Sequence, residues 1–219
     1  MSSMKKNKSI ILIIISIVLV IAIALVLYFV LNDKNKLTVA ERNWLNDNIN
    51  TIQNINVVNN ANVFGQDGSG VYYDFLKSFE NEYGLSINPI TYNYPSDPSG
   101  INLGIKKKTD ENDIVFYEDH YVLVGKNKEV IASAENLNGK TIGILSNDLS
   151  YVSNYIKKAT DVSFSQFASR DEMLSAMDEK VNYMIVPLME YLDVILAKDY
   201  NIIYHFSDIK EYYVMHTTD

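Results

Sequence analysis

Residues 10–31 carry no charge, and Ser16 is the one small polar residue among them. A bilayer core of ~30 Å needs about 20 apolar residues in helical form, so this run is long enough to cross one. Lys5, Lys6 and Lys8 stand directly before it. Positive charge stays on the cytoplasmic side, which puts the N-terminus inside and residues 32–219 outside. A cleaved signal peptide is the alternative, but its apolar region is only about 7–15 residues and a small-x-small site follows it. Ala22-Ile23-Ala24 sits in mid-run, with residues 25–31 still to come, so an uncleaved anchor is expected. The expected localisation is therefore the cell membrane, single-pass, with an extracytoplasmic C-terminal domain.

The composition beyond the anchor narrows the partners. Five of the 19 basic residues and one of the 27 acids precede Leu37, which leaves 14 against 26 and a formal charge near −12. Duplex nucleic acid needs a basic surface to neutralise its phosphates, so no nucleic-acid partner is expected. An anionic lipid surface is disfavoured for the same reason. Cysteine is absent, which excludes disulfides, thiolate metal sites and a lipid-modified N-terminal cysteine. His120, His205 and His216 are far apart and make no HxxxH or HExxH spacing, so neither a metal nor a cofactor is expected. No GxSxG, P-loop or GxGxxG occurs.

Residues 37–219 are enough for one domain or two small lobes. Thr38 and Glu41 have the spacing of a capping box, which starts a helix carrying Trp44 and Leu45. Residues 52–58 alternate as a strand, and a loop with Gly65, Gly68 and Gly70 follows. Apolar residues at 72, 75, 76, 79 and 83 make a helical stripe that Gly84 ends. Residues 85–92 and 101–105 read as strands, 106–113 as a charged, solvated surface turn. Two further strands, 114–117 and 121–124, flank Glu118-Asp119-His120. From 140 to 204 the order is strand, helix, strand, helix, strand, helix, strand, the pattern of a parallel sheet with helices on its faces. A last strand covers 212–216.

Val122-Leu123-Val124 is followed by Ile131 and by Leu137-Asn138-Gly139-Lys140-Thr141-Ile142-Gly143-Ile144. Ser146-Asn147-Asp148 comes next, then Arg170 to Met177, then Val181-Asn182-Tyr183-Met184-Ile185-Val186-Pro187. In this order the segments resemble the lobe crossover, the L-x-G-K-x-I-G-V strand, the ligand loop, the aligned helix and the V-D-A strand of type 2 periplasmic solute-binding proteins, the Venus-flytrap modules. Phe64 and Gly70 through Asp74-Phe75-Leu76 resemble the family's earlier P-F-x-F and G-x-x-x-D-L stretches. The resemblance covers roughly residues 37–219 and implies an α/β, bilobal type 2 periplasmic-binding-protein-like fold preceded by one transmembrane helix. Its parts would be a cytoplasmic tail at 1–9, the transmembrane helix at 10–31, lobe 1 at 32–118 with 210–219 returning to it, and lobe 2 at 119–209. Strand crossings near 118–121 and 209–212 would join the lobes.

The departures bear on ligand class. Amino-acid binders of this family hold the α-carboxylate with an arginine shortly before the crossover, where this chain has Lys106-Lys107-Lys108. They hold the amine with an aspartate after the V-D-A strand, where Pro187 stands. The expected ligand is a small molecule, neutral or cationic, and the candidate contacts are Phe64, Tyr117, Glu118, Asp119, Ser146, Asn147 and Asp148. Ser146 to Asp148 lie at a helix start, where free N–H groups favour an anion, although Asp148 would repel one. Each candidate also has an ordinary reading, as a cap, a core residue or a solvated charge, and Lys106 to Lys108 read as a solvated run. No general acid–base pair is evident, so binding or signal sensing is favoured over a dehydratase on the same fold. The alternative is a degenerate module used for protein contacts, with a membrane partner protein, or the N-terminal fragment of a transmembrane signalling protein.

Overall fold

A computed structural model describes residues 37–156 and 161–218. The expected tail and membrane run lie outside these residues, and among the described ones no helix is long and apolar enough to cross a membrane. The chain divides after Asn48. Before that division stands α1 (Val39–Asn48). Its start is the capping box read from the sequence: the Glu41 N–H donates to Thr38 Oγ1 at 3.2 Å, and the Thr38 N–H donates to Glu41 Oε2 at 2.6 Å.

From Ile49 onward the chain is one compact unit. Its strands are β1 (Ile52–Val58), β2 (Asn60–Ala61), β3 (Gly65–Gln66), β4 (Ser86–Tyr92), β5 (Gly100–Lys106), β6 (Ile114–Gly125), β7 (Thr141–Leu145), β8 (Ser163–Phe167), β9 (Tyr183–Pro187) and β10 (Asn201–Thr218). Its helices are α2 (Val71–Tyr83), α3 (Ser146–Ser153), α4 (Arg170–Glu179) and α5 (Leu188–Ala197), with a 3-10 turn at Ala134–Leu137. Gly84 ends α2 in the left-handed region, at φ 68°, and its N–H closes onto Glu80 O at 2.8 Å. A residue with a Cβ would be strained there.

One mixed sheet runs in the order β4-β1-β5-β10-β6-β9-β7-β8. In its first half β1 is parallel to both β4 and β5. In its second half β7 is parallel to both β8 and β9. Strands β6 and β10 lie between and run antiparallel to each other. The second half of β10 pairs with β5, from Tyr212 opposite Lys106 to Thr218 opposite Gly100. The second half of β6 pairs with β9, from Tyr121 opposite Pro187 to Gly125 opposite Tyr183.

Four expectations change here. The strands expected at 114–117 and 121–124 are one strand, because Asp119 is buried but satisfied: its carboxylate accepts from the Met189 N–H at 2.7 Å. The strands expected at 201–204 and 212–216 are likewise one, with the register slipping between His205 and Lys210. That slip absorbs the Ser207-Asp208 stretch, which reads as a break in sequence. The parallel alternation holds for β7, β8 and β9, but the fourth strand of the series joins β6 in antiparallel instead. Residues 106–113 are also less solvated than expected. The Lys106 ammonium holds Asp110 and the buried Asp113, each at 2.8 Å.

Period-two alternation on β6 divides the second half's core between two faces. Tyr121 and Leu123 pack with Ile142, Ile144, Val152 and Ile185. Val122 and Val124 pack with Met173, Met177, Met184 and Tyr191 under α4 and α5. The first half has its own core, where α2 lays Tyr72 and Leu76 on Val57, Leu103 and Tyr213. Both halves therefore rest on the two long strands. Truncating Leu123, fully buried on β6, leaves a cavity in the second half's core. Leu123→Ala is expected to lower stability by about 2–5 kcal/mol, read as a lower urea midpoint with an unchanged m-value.

Candidate functional site

A cleft of about 400 Å³ lies between the two halves of the sheet. From the first half it is lined by Asn59, Asn60, Gln66, Asp67 and Tyr94, by Ile105 near the end of β5 and by Lys107 just after it. From the second half come Leu145, Asn147 and Asp148 at the β7–α3 junction, Ser169, Arg170 and Asp171 at the start of α4, and Pro187, Glu190 and Tyr191 at the start of α5. Glu211, on β10, forms part of the floor. Side chains thus converge from strand ends on both sides, the usual ligand position in open α/β sheets.

Lys107 is the centre of the cleft's electrostatics. Its ammonium is 2.8 Å from Glu211 Oε2 and 2.9 Å from Asp148 Oδ1. It also donates to the Tyr121 hydroxyl, which in turn donates to Glu211 Oε2 at 3.2 Å. The second Glu211 oxygen accepts from Tyr213 at 3.0 Å. Burial opposes the lysine charge, but Glu211 and then Asp148 outweigh it and hold the ammonium above its ordinary pKa. Asp148 belongs to α3 and Lys107 to the β5 side, so this ion pair crosses the cleft.

A second crossing links the Asn62 N–H to the Glu190 carboxyl, at 2.9 and 3.1 Å to its two oxygens. Burial pushes the Glu190 pKa up to about 8, against the lowering effect of that N–H. Arg170 reaches Asp193 at 2.7 Å, and its guanidinium lies 5.0 Å from the Tyr191 ring centre. The Tyr191 hydroxyl and Arg170 Nε are buried with no hydrogen-bond partner among the described residues. The lining carries five acids, Asp67, Asp148, Asp171, Glu190 and Glu211, against Lys107 and Arg170.

Of the residues proposed from sequence, Asn147 and Asp148 line the cleft. Asp148 meets Lys107 and is not left to repel a ligand. Ser146 turns its hydroxyl to the Phe167 carbonyl at 3.1 Å. Phe64 is buried in an aromatic stack, 3.7 Å from the Tyr213 ring centre and 5.9 Å from that of Tyr117, outside the cleft lining. Tyr117 is exposed at the edge of that stack. Glu118 lies outside the lining as well, with Lys210 at 2.7 Å. Asp119 tethers the start of α5 through Met189, and burial raises its pKa to about 6.

Lys107, Glu190, Arg170, Tyr191 and Glu211 were not foreseen. Lys107 could have been: in an extended segment it shares a face with Ile105, not with Lys106. The reading of Lys106 to Lys108 as a solvated run is corrected accordingly. Glu190 was also within reach, since it stands three residues after Pro187, the position where the resemblance calls for an acid.

Comparison with protein-family models gives no match, and neither does comparison with curated proteins. Solved structures give many. A double mutant of the VFT2 domain of Bordetella pertussis BvgS is 11% identical, at TM-score 0.59, over 83% of this chain and 86% of that one. An ancestral arginine-binding protein bound to arginine is 16% identical, at TM-score 0.59, over 78% and 86%. The GluR0 ligand-binding core in complex with L-glutamate is 11% identical, at TM-score 0.56, over 77% and 86%. At these identities the likeness is one of fold: an α/β mixed sheet of the type 2 periplasmic-binding-protein kind.

The Glu190 carboxyl gives the cleft a pH dependence. Its folded pKa of about 8 stands above the ordinary 4.5, so between those values the folded state binds more protons than the unfolded one. Stability from this group is full below about pH 4.5 and is lost as the pH rises through about 8. Melting temperature is expected to fall across that window, and Glu190→Gln to remove that part of the slope. A variant that keeps the parent's full slope would assign the effect elsewhere.

Proposed function

We propose that the chain is a membrane-anchored extracytoplasmic solute-binding or sensor domain, held through residues 10–31, that takes a small molecule between two lobes. The observation that carries this reading is the cleft, lined by polar groups from both halves of the sheet around β6 and β10. Two strands passing between halves are a natural hinge, and a ligand touching both sides favours the closed form by its differential affinity. Arginine and glutamate in the neighbours' sites agree with a ligand of small polar kind. The four acids other than Glu190 still outnumber Lys107 and Arg170, which favours a neutral or cationic ligand. Glu190, Asn147 and the buried Tyr191 hydroxyl, which has no partner among the described residues, are its nearest contacts. Binding, not catalysis, is the proposed activity.

A second reading rests on Lys107. Its ammonium already occupies the acids at the cleft's centre, which favours a module that has given up solutes and serves in protein contacts. The experiment is a thermal-shift screen of the full 219-residue chain, in mild detergent, against amino acids, polyamines, peptides and sugars. A ligand at 100 times its Kd stabilises the folded state by about 2.7 kcal/mol, a rise of several degrees. Tyr191→Phe should weaken such a ligand by roughly tenfold, the value of one lost hydrogen bond. No shift with any solute favours the protein-contact reading. The anchor is tested separately: alkaline phosphatase fused after Asp219 should be active, and an active cytoplasmic reporter at that point would overturn the topology.

A further inference from the structure

Around the Lys107 ammonium the chain builds what an organic ammonium ion needs. Two carboxylates, Asp148 and Glu211, lie at 2.9 and 2.8 Å, and both are buried. Three tyrosine rings surround the same nitrogen, with centres at 4.9 Å for Tyr121, 5.6 Å for Tyr94 and 5.7 Å for Tyr151. Carboxylates supply charge and hydrogen-bond acceptors, while ring faces attract the cation by their quadrupole, most strongly when water is excluded. The surrounding backbone is also fixed, since the Tyr151 hydroxyl donates to the Lys210 carbonyl at 2.8 Å.

We propose that this cluster is an alkylammonium-binding site which the chain fills with its own Lys107. Lys107 acts as a tethered ligand. It neutralises the acids of α3 and β10 from the β5 side, and so draws the two halves together with no solute present. A free cation reaching this point competes with the lysine, whereas a neutral solute binds beside it. The inference concerns the filled part of the cleft and does not depend on any external solute being recognised.

Chemical rescue tests it. Lys107→Ala removes the side chain beyond Cβ, a fragment of the size and charge of propylammonium. In the full chain this variant should melt roughly 10 °C below the parent, because two buried carboxylates lose their cation. Propylammonium chloride should then raise its Tm by several degrees in a saturable way. Propanol, or sodium chloride at equal ionic strength, should not, and the parent should respond to none of them. Lys107→Met keeps the stem and loses the charge, so it should be destabilised without being rescued. A Lys107→Ala protein that melts within about 2 °C of the parent, or gains no more from propylammonium than the parent does, overturns the proposal.

A second measurement starts from the native parent. Acetylation of the native parent, followed residue by residue by mass spectrometry, should modify Lys107 at least tenfold more slowly than the exposed Lys108. Asp148→Asn combined with Glu211→Gln should bring Lys107 up to the rate of Lys108. Equal rates in the parent contradict the proposal, whatever becomes of the alanine variant.

Discussion

A lysine held between two buried carboxylates organises this molecule. Burying one charge alone costs several kcal/mol, and burying Asp148 and Glu211 together without a cation would cost more. Lys107 satisfies both, and its partners come from β10 and from α3. These elements are distant in sequence: Asp148 lies across the cleft from Lys107, and Glu211 lies on its floor. The contact therefore works as a constraint on tertiary structure: the acids tolerate burial only when the end of β5 faces the start of α3. Tyr121 and Tyr213 complete the arrangement by donating to Glu211, so the buried acid retains acceptor contacts on both oxygens.

The scaffold beneath this cluster is the pair β6 and β10. Each carries residues of both halves, and each has a buried polar side chain with a specific partner at the crossing. On β6, Asp119 receives the Met189 N–H at the head of α5. On β10, Glu211 receives Lys107. Apolar alternation on either side of these points buries the strands in the two cores, which anchors the polar floor from both directions. Cleft-lining groups then come from strand ends and helix starts: Asn147 and Asp148, Ser169 to Asp171, and Glu190 with Tyr191.

Local order was readable in the residues. The Thr38–Glu41 capping box, the Gly84 stop, the helical stripe of α2 and the alternation from β7 to β9 all follow short-range rules, and the structure contains them. Long-range pairing was less readable. Glu118-Asp119-His120 resembles a break because its charges are unfavourable in an isolated strand, and only partners from elsewhere in the chain, Lys210 and the Met189 N–H, reverse that. Ser207-Asp208 falls in the register slip of β10. The site divides in the same way. Asn147 and Asp148 follow from their place after a strand, whereas Phe64 was drawn into an aromatic stack with Tyr213 that no local pattern announces. Lys107 lay within a run of three lysines whose alternation decides which one turns inward. Its role depends on Glu211, 104 positions away, and that distance is why the run reads as solvent-exposed.

The claim that one charge contact joins the two halves across the cleft is open to a double-mutant cycle. Lys107→Met, Asp148→Asn and the pair together would be measured by urea unfolding of the full chain. If the contact couples the halves as described, the two substitutions will be far from additive, with a coupling of about 1.5–3 kcal/mol. Additivity within about 0.5 kcal/mol would mean that Lys107 and Asp148 act independently, and the account of the cleft as a self-closed clamp would be wrong.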